Sequence, residues 1–232
     1  MFTIKSESHI SNKGKREVNE DNIKYQSGKF YIVCDGLGGN DNGRIASNLL
    51  AETINKSLSK SDNIIKAVKD AEKVLEAYKK KNPTTIKMAS TLAVVQILDK
   101  GLLITWAGDS RVYQFRDGKI TYKTKDHTLV GEAIDKGVLT VEEALFHPDA
   151  NVLTKSIKGS KKPVELDQYL IEDIKENDYF LLCTDGVNES WIDSDLEELF
   201  SESKSSQFIT DELEKGCKIF SSDNYTAIIF QL

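Results

Sequence analysis

Proline is scarce, with 3 in 232 residues, and no Pro-rich or Gly/Ser-rich stretch marks a linker. No internal repeat is visible either. One domain spanning 1–232 is therefore expected, long enough for a sizeable core. Cysteine is equally thin. Cys34, Cys183 and Cys217 are odd in number and lack C-x-x-C spacing, which argues against a disulfide framework or a zinc site. Cys34 and Cys183 lie inside apolar runs and read as small buried hydrophobes. No stretch approaches the ~20 apolar residues of a membrane span, and Met1–Lys5 opens no apolar leader, so a cytoplasmic monomer without a membrane partner is expected. Basic residues number 31 against 37 acidic ones, and the net charge of -6 disfavours nucleic acid as a partner. The basic run Lys79-Lys80-Lys81 falls at a helix end, where the dipole favours lysine. Histidine is rare too. His9, His127 and His147 are isolated, and none is assigned a catalytic role.

What the chain does have is acid at particular places. Asp35 closes the apolar run Phe30–Cys34, Asp109 follows Leu102–Gly108, Asp185 ends Tyr179–Thr184, and Asp223 stands just before Tyr225–Phe230. Glu20-Asp21-Asn22 forms a fifth station. Each run is short and rich in β-branched and aromatic residues, as a buried strand is. Carboxylates at the ends of several core strands can meet at one rim of a sheet, and such a cluster repels itself unless hard cations neutralise it.

The remaining pattern suggests layers. A strand is expected near 2–8, then a polar loop carrying Arg16 to Asn22. Helical spacing places Ile45, Leu49, Leu50 and Ile54 on one face. A second helix from Asp62 to Lys80 carries Ile64, Ile65, Val68, Ala71, Val74 and Leu75, and both stripes are expected to pack on a sheet. Residues 91–123 read as consecutive strands with turns at Asp99-Lys100-Gly101 and Arg116-Asp117-Gly118-Lys119. Asp117-Gly118 is then a plain hairpin, whereas Asp35-Gly36 and Asp185-Gly186 are expected to lead into loops. Residues 124–160, with short helical patterns at Leu129–Lys136 and Val141–Leu145, read as a lid. Strands at 179–184 and 225–231 bracket a helical segment around 194–220. Hairpins with helices collected in pairs predict an α+β fold, a central antiparallel β-sandwich flanked by helix pairs in four αββα layers.

Any single station is weak evidence among 37 acidic residues. The ordered set is not. Arg16-Glu17-Val18-Asn19-Glu20-Asp21-Asn22 resembles the R-x-x-N-E-D opening of metal-dependent type 2C (PPM) serine/threonine protein phosphatases of the bacterial type. Asp35-Gly36-Leu37-Gly38-Gly39, with Gly43 and Ala46-Ser47, is similar to their D-G-x-G-G-x-x-x-G-x-x-A-S. Ser90-Thr91, Gly108-Asp109-Ser110-Arg111, Val152–Gly159, Thr184-Asp185-Gly186 and Asp223-Asn224 follow in the family's order across nearly the whole chain.

The resemblance implies two or three Mn²⁺ or Mg²⁺ ions, for which oxygen-only ligands are suited. Asp35 would bridge two ions, the Gly36 carbonyl would bind one of them, and Asp185 and Asp223 would hold one. Asp21 and Glu20 would serve the other. A water between two cations is acidified enough to attack phosphorus in line. Arg16, matching the family's phosphate-binding arginine, would present a guanidinium fork to two phosphate oxygens, although a loop arginine is ordinarily just solvated. Asp109 would join Asp185 at a third metal. The alternative is that it caps a strand end with Arg111. Where many eukaryotic members carry a histidine thought to protonate the leaving alkoxide, this chain has Leu37, so water on a metal is the expected general acid. The implied partners are phosphorylated proteins, the substrates of a Ser/Thr kinase.

Other readings remain beside it. A narrow regulatory phosphoprotein or a small phosphoester fits the same chemistry. A pseudophosphatase would lack at least one of Asp21, Asp35, Asp185 and Asp223, and all are present. EF-hand spacing is absent, and the Gly-rich loop lacks the G-K-[ST] ending of a nucleotide-binding P-loop.

Overall fold

The computed structural model describes residues 2–39, 41–144, 147–160, 162–202 and 204–232. Two antiparallel sheets pack face to face. The first runs β1 (Ser6–Asn12), β12 (Tyr225–Gln231), β11 (Tyr179–Cys183), β8 (Arg111–Arg116), β9 (Lys119–Lys123). The second runs β10 (Asp167–Ile171), β7 (Gly101–Ala107), β6 (Leu92–Leu98), β3 (Phe30–Cys34), β2 (Asn22–Gln26). A short ribbon pairs β4 (Gly36–Leu37) with β5 (Ala89–Ser90). Helices α1 (Asn42–Leu58) and α2 (Ile64–Lys81) cover the second sheet, and α5 (Asp185–Asn188), α6 (Asp193–Leu199) and α7 (Ser206–Phe220) cover the first. This is the expected four-layer α+β sandwich. Among the described residues no helix is long and apolar enough to cross a membrane.

The central strands are mostly apolar because both of their faces are covered, and strand side chains alternate between faces. From β3, Phe30, Ile32 and Cys34 join the α1/α2 layer while Tyr31 and Val33 enter the inter-sheet core. From β11, Leu181 and Cys183 face the other helices while Phe180 and Leu182 turn inward. Tyr31 and Phe230 stack across the two sheets with ring centroids 4.2 Å apart. Offset aromatic pairs of this kind add about 1 kcal/mol beyond area burial.

The differences from the sequence reading are local. The first strand begins at Ser6, and its partner residues are those of β12. Strands β2 and β10, both sheet edges with half-polar sequences, have no counterpart in the expectation. On α2, Ile65 and Val74 are exposed, and the buried face instead carries Ala67 and Glu72. Buried Glu72 accepts hydrogen bonds from the backbone of Ser160 and Val164, which ties the end of the 124–160 segment to α2. Asp117 and Gly118 have φ of 50° and 74°, the backbone of a two-residue hairpin turn, as expected. Asp185-Gly186 does not lead into a loop, since it starts α5. The 124–160 segment lies between β9 and β10 and carries α3 (Leu129–Asp135) and α4 (Val141–Ala144). Leu145, expected in the second of these helices, and Asn40, in the Gly-rich loop, lie outside the described residues.

Candidate active site

Antiparallel pairing explains why the acidic stations meet. Leu92 at the start of β6 pairs with Ala107 at the end of β7, and Asn22 at the start of β2 with Cys34 at the end of β3. In the other sheet Cys183, ending β11, pairs with Arg111 and with Ala227 near the start of β12. Asp35, Asp109, Asp185 and Asp223 therefore leave the sandwich at one edge. The Gly108–Ser110 turn crosses from one sheet to the other there.

Electrostatics record the convergence. Burial, then repulsion from Asp185, Asp21, Asp109 and Asp223, pushes the Asp35 carboxyl well above the usual range. Burial, then Asp109, Asp223 and Asp21, does the same to Asp185. Asp21 is pushed up to about 7, chiefly by burial, against hydrogen bonds from Thr226 and Thr184 that favour its charged form. Asp109 rises to about 6, through burial and then Asp126. Asp35, Asp109, Asp185 and Asp223 still keep a water-facing edge, so they line an open rim.

The donor set is made of hard oxygens, and its self-repulsion is what a divalent cation relieves. Among the described residues, no three His, Cys, Asp or Glu side chains stand close enough together to chelate an ion unaided. Mg²⁺ and Mn²⁺ sites that retain several waters do not require that. The residues fit hydrated divalent cations.

Neutral groups fix the stations. Thr91 Oγ1 accepts from the Asp35 N–H at 2.9 Å and lies 2.6 Å from Ser110 Oγ, joining the Asp35 and Asp109 turns. Thr184 Oγ1 donates to Asp21 at 2.9 Å. Asn224 accepts from the Glu20 N–H and donates to the Lys13 and Val18 carbonyls, stapling the Arg16 loop beside Asp223. Arg16 Nη2 is 2.7 Å from Asp223 Oδ2. Glu20 Oε1 accepts from Gly43 N–H at 3.0 Å, in the first turn of α1. A Cβ on Gly36 would lie 2.0 Å from the Gly43 carbonyl oxygen and 2.6 Å from that of Glu20. Close backbone packing thus requires glycine at 36 before any ligand role is considered. Leu37 continues into β4 and offers no proton.

The sequence reading passed over the Thr91, Ser110, Thr184 and Asn224 contacts, and it set His127 aside as an isolated residue without a catalytic role. Each of these is a buried polar residue beside a station, which no periodicity reveals.

The family model for protein phosphatase 2C matches residues 7–218. The chain belongs to the protein phosphatase 2C family. Serine/threonine protein phosphatase PstP of Mycobacterium tuberculosis is 26% identical over 228 residues, covering 94% of this chain and 43% of PstP. The chain thus spans less than half of that relative. The structure of Stp1, a serine/threonine phosphatase from Staphylococcus aureus, superposes with a TM-score of 0.89 at 25% identity, covering 100% of this chain and 96% of Stp1. The catalytic domain of PstP in complex with 2 manganese ions shares the fold, with a TM-score of 0.84 at 24% identity, covering 97% of this chain and 96% of that one. A protein phosphatase 2C fold thus carries the acidic rim described above.

Proposed function

We propose that this chain is a metal-dependent serine/threonine protein phosphatase that removes phosphate from protein side chains modified by a Ser/Thr kinase. The observation that carries the reading is the meeting of Asp21, Asp35, Asp185 and Asp223 at one sandwich edge, with Arg16 beside them. Asp35, Asp185 and Asp223, with Asp21, Glu20 and the Gly36 carbonyl, would hold two Mn²⁺ or Mg²⁺ ions, and Asp109 would contribute to a third. Bound divalent cations supply charge neutralisation and activate water near neutral pH.

The chain's own groups do the rest. Arg16, held beside Asp223, would present its guanidinium to two phosphate oxygens of the substrate. Thr91 and Ser110 keep the Asp35 and Asp109 turns in register. Leu37 offers no proton, so in this reading protonation of the leaving alkoxide falls to the Asp109 side of the rim.

Hydrolysis of a phosphothreonine peptide with and without Mn²⁺, beside Asp35→Ala, tests the reading. Turnover that needs Mn²⁺ and vanishes in the variant supports it. Metal-independent turnover, or full activity in Asp35→Ala, would overturn it.

A further inference from the structure

His127 opens the flap between β9 and β10 and is buried, yet nothing in the proposed chemistry uses it. Two of its hydrogen bonds are directed at one turn. The Gly108 N–H donates to His127 Nδ1 at 3.0 Å, and the His127 N–H donates to the Gly108 carbonyl, also at 3.0 Å. Accepting at Nδ1 leaves the ring proton on Nε2. Nε2 lies 3.1 Å from Asp167 Oδ2, without the alignment of a hydrogen bond. The imidazole stacks nearly parallel to Trp106, the residue two before Gly108, with centroids 5.9 Å apart. Its neighbour Asp126 takes Arg111 in a fork of two bonds, 2.8 and 2.7 Å. Consecutive flap residues therefore grip both ends of the 108–111 turn, and Asp109 sits inside the grip.

That turn has little freedom of its own. Gly108 has φ of +114°, and a Cβ there would come within 2.6 Å of Thr91 Cγ2. On the flap side, the Thr154 N–H donates to the His127 carbonyl at 2.8 Å and the Leu129 N–H to that of Val152 at 2.9 Å. The two legs of the flap are thus zipped together where His127 stands. The flap and the Asp109 turn are therefore joined at this residue and at its neighbour Asp126.

We propose that His127 is a positioning residue that couples the flap to the Asp109 turn, so that substrate seated under the flap and the Asp109 carboxylate are aligned together. The activity part of its test rests on the phosphatase reading above. Two polar variants separate coupling from packing. In His127→Asn the side-chain oxygen falls near the Nδ1 position and keeps the acceptor for Gly108. In His127→Gln the polar end reaches the Nε2 position and leaves Gly108 without a partner.

Amide exchange across 124–160 is measured with and without Mn²⁺ on the whole chain, together with turnover of a phosphothreonine peptide and of an aryl phosphate. Mn²⁺ slows flap exchange in wild type and His127→Asn but not in His127→Gln. The Gln variant also loses about tenfold on the peptide while changing little on the aryl ester, the scale of a coupling free energy of 0.5–2 kcal/mol. Equal protection by Mn²⁺ in all three proteins, or none in any, overturns the coupling. An equal loss in both variants also overturns it, since it marks packing alone. Should wild type hydrolyse neither substrate, the phosphatase reading fails, and the exchange comparison still decides the coupling.

Discussion

Arg16 Nη2 and Asp223 Oδ2 lie 2.7 Å apart, so the cation expected to meet phosphate is paired with a carboxylate expected to meet metal. Each is thereby a competitor for the other's ligand. Arg16→Ala should lower kcat/KM on a phosphothreonine peptide by roughly 10- to 100-fold, the 1.5–3 kcal/mol of a hydrogen bond to a charged group. It should also move Mn²⁺ binding, measured by calorimetry without substrate, to lower concentration. Unchanged Mn²⁺ affinity would show that the pair exerts no competition.

The acidic rim makes a pH prediction. Carboxyls whose folded pKa is raised favour the folded state below the unfolded value, and that stability is lost as pH rises through the folded value. For Asp21 the window runs from 3.8 to about 7, and Asp35 and Asp185 shift in the same direction. The metal-free protein should melt at a lower temperature at pH 8 than at pH 5.5. Saturating Mn²⁺ should narrow the gap, and Asp35→Asn should narrow it without metal. A melting temperature that rises with pH in metal-free buffer would contradict this account.

Glu20 has a structural duty that can be separated from a ligand role. Its Oε1 accepts from the Gly43 N–H in the first turn of α1. Glu20→Ala should cost about 1 kcal/mol in urea unfolding, the usual value of a lost helix cap, while Glu20→Gln keeps the acceptor and most of the stability. Mn²⁺ affinity should fall in both variants if the carboxylate also serves a cation. If affinity is kept in Glu20→Gln, the cap is the whole of its role.

Asp109→Ala should impair a phosphoserine peptide much more than an aryl phosphate, whose leaving group needs no proton. Equal losses on the two substrates would remove Asp109 from leaving-group protonation and leave it as the strand-end residue weighed beside that role.

The acidic stations and the central strands were legible because a strand buried on both faces is mostly apolar, and each of these carboxylates stands at an end of such a run. Edge strands β2 and β10 were not legible, since their pairing supplies the order that their half-polar sequences lack. Two of the six residues of the α2 stripe were misplaced for a related reason. Ile65 and Val74 fit the helical period, but the face is chosen by what α2 packs against, and Glu72 is buried there to hold Ser160 and Val164.

The sequence by itself determined which residues carry charge at strand ends, and so the class of ion they suit, while the phosphate substrate is what the resemblance to the phosphatase family implies. Tertiary structure decided how those residues are held. Antiparallel pairing put Asp35, Asp109, Asp185 and Asp223 at one edge, Asn224 fastened the Arg16 loop to Asp223, and Glu20 was drawn onto α1. His127, an isolated residue with no motif to announce it in the chain reading, became the link between flap and Asp109. Hydrogen bonds between residues far apart in sequence carry no periodic signal, because only the folded chain brings their two ends within 3 Å.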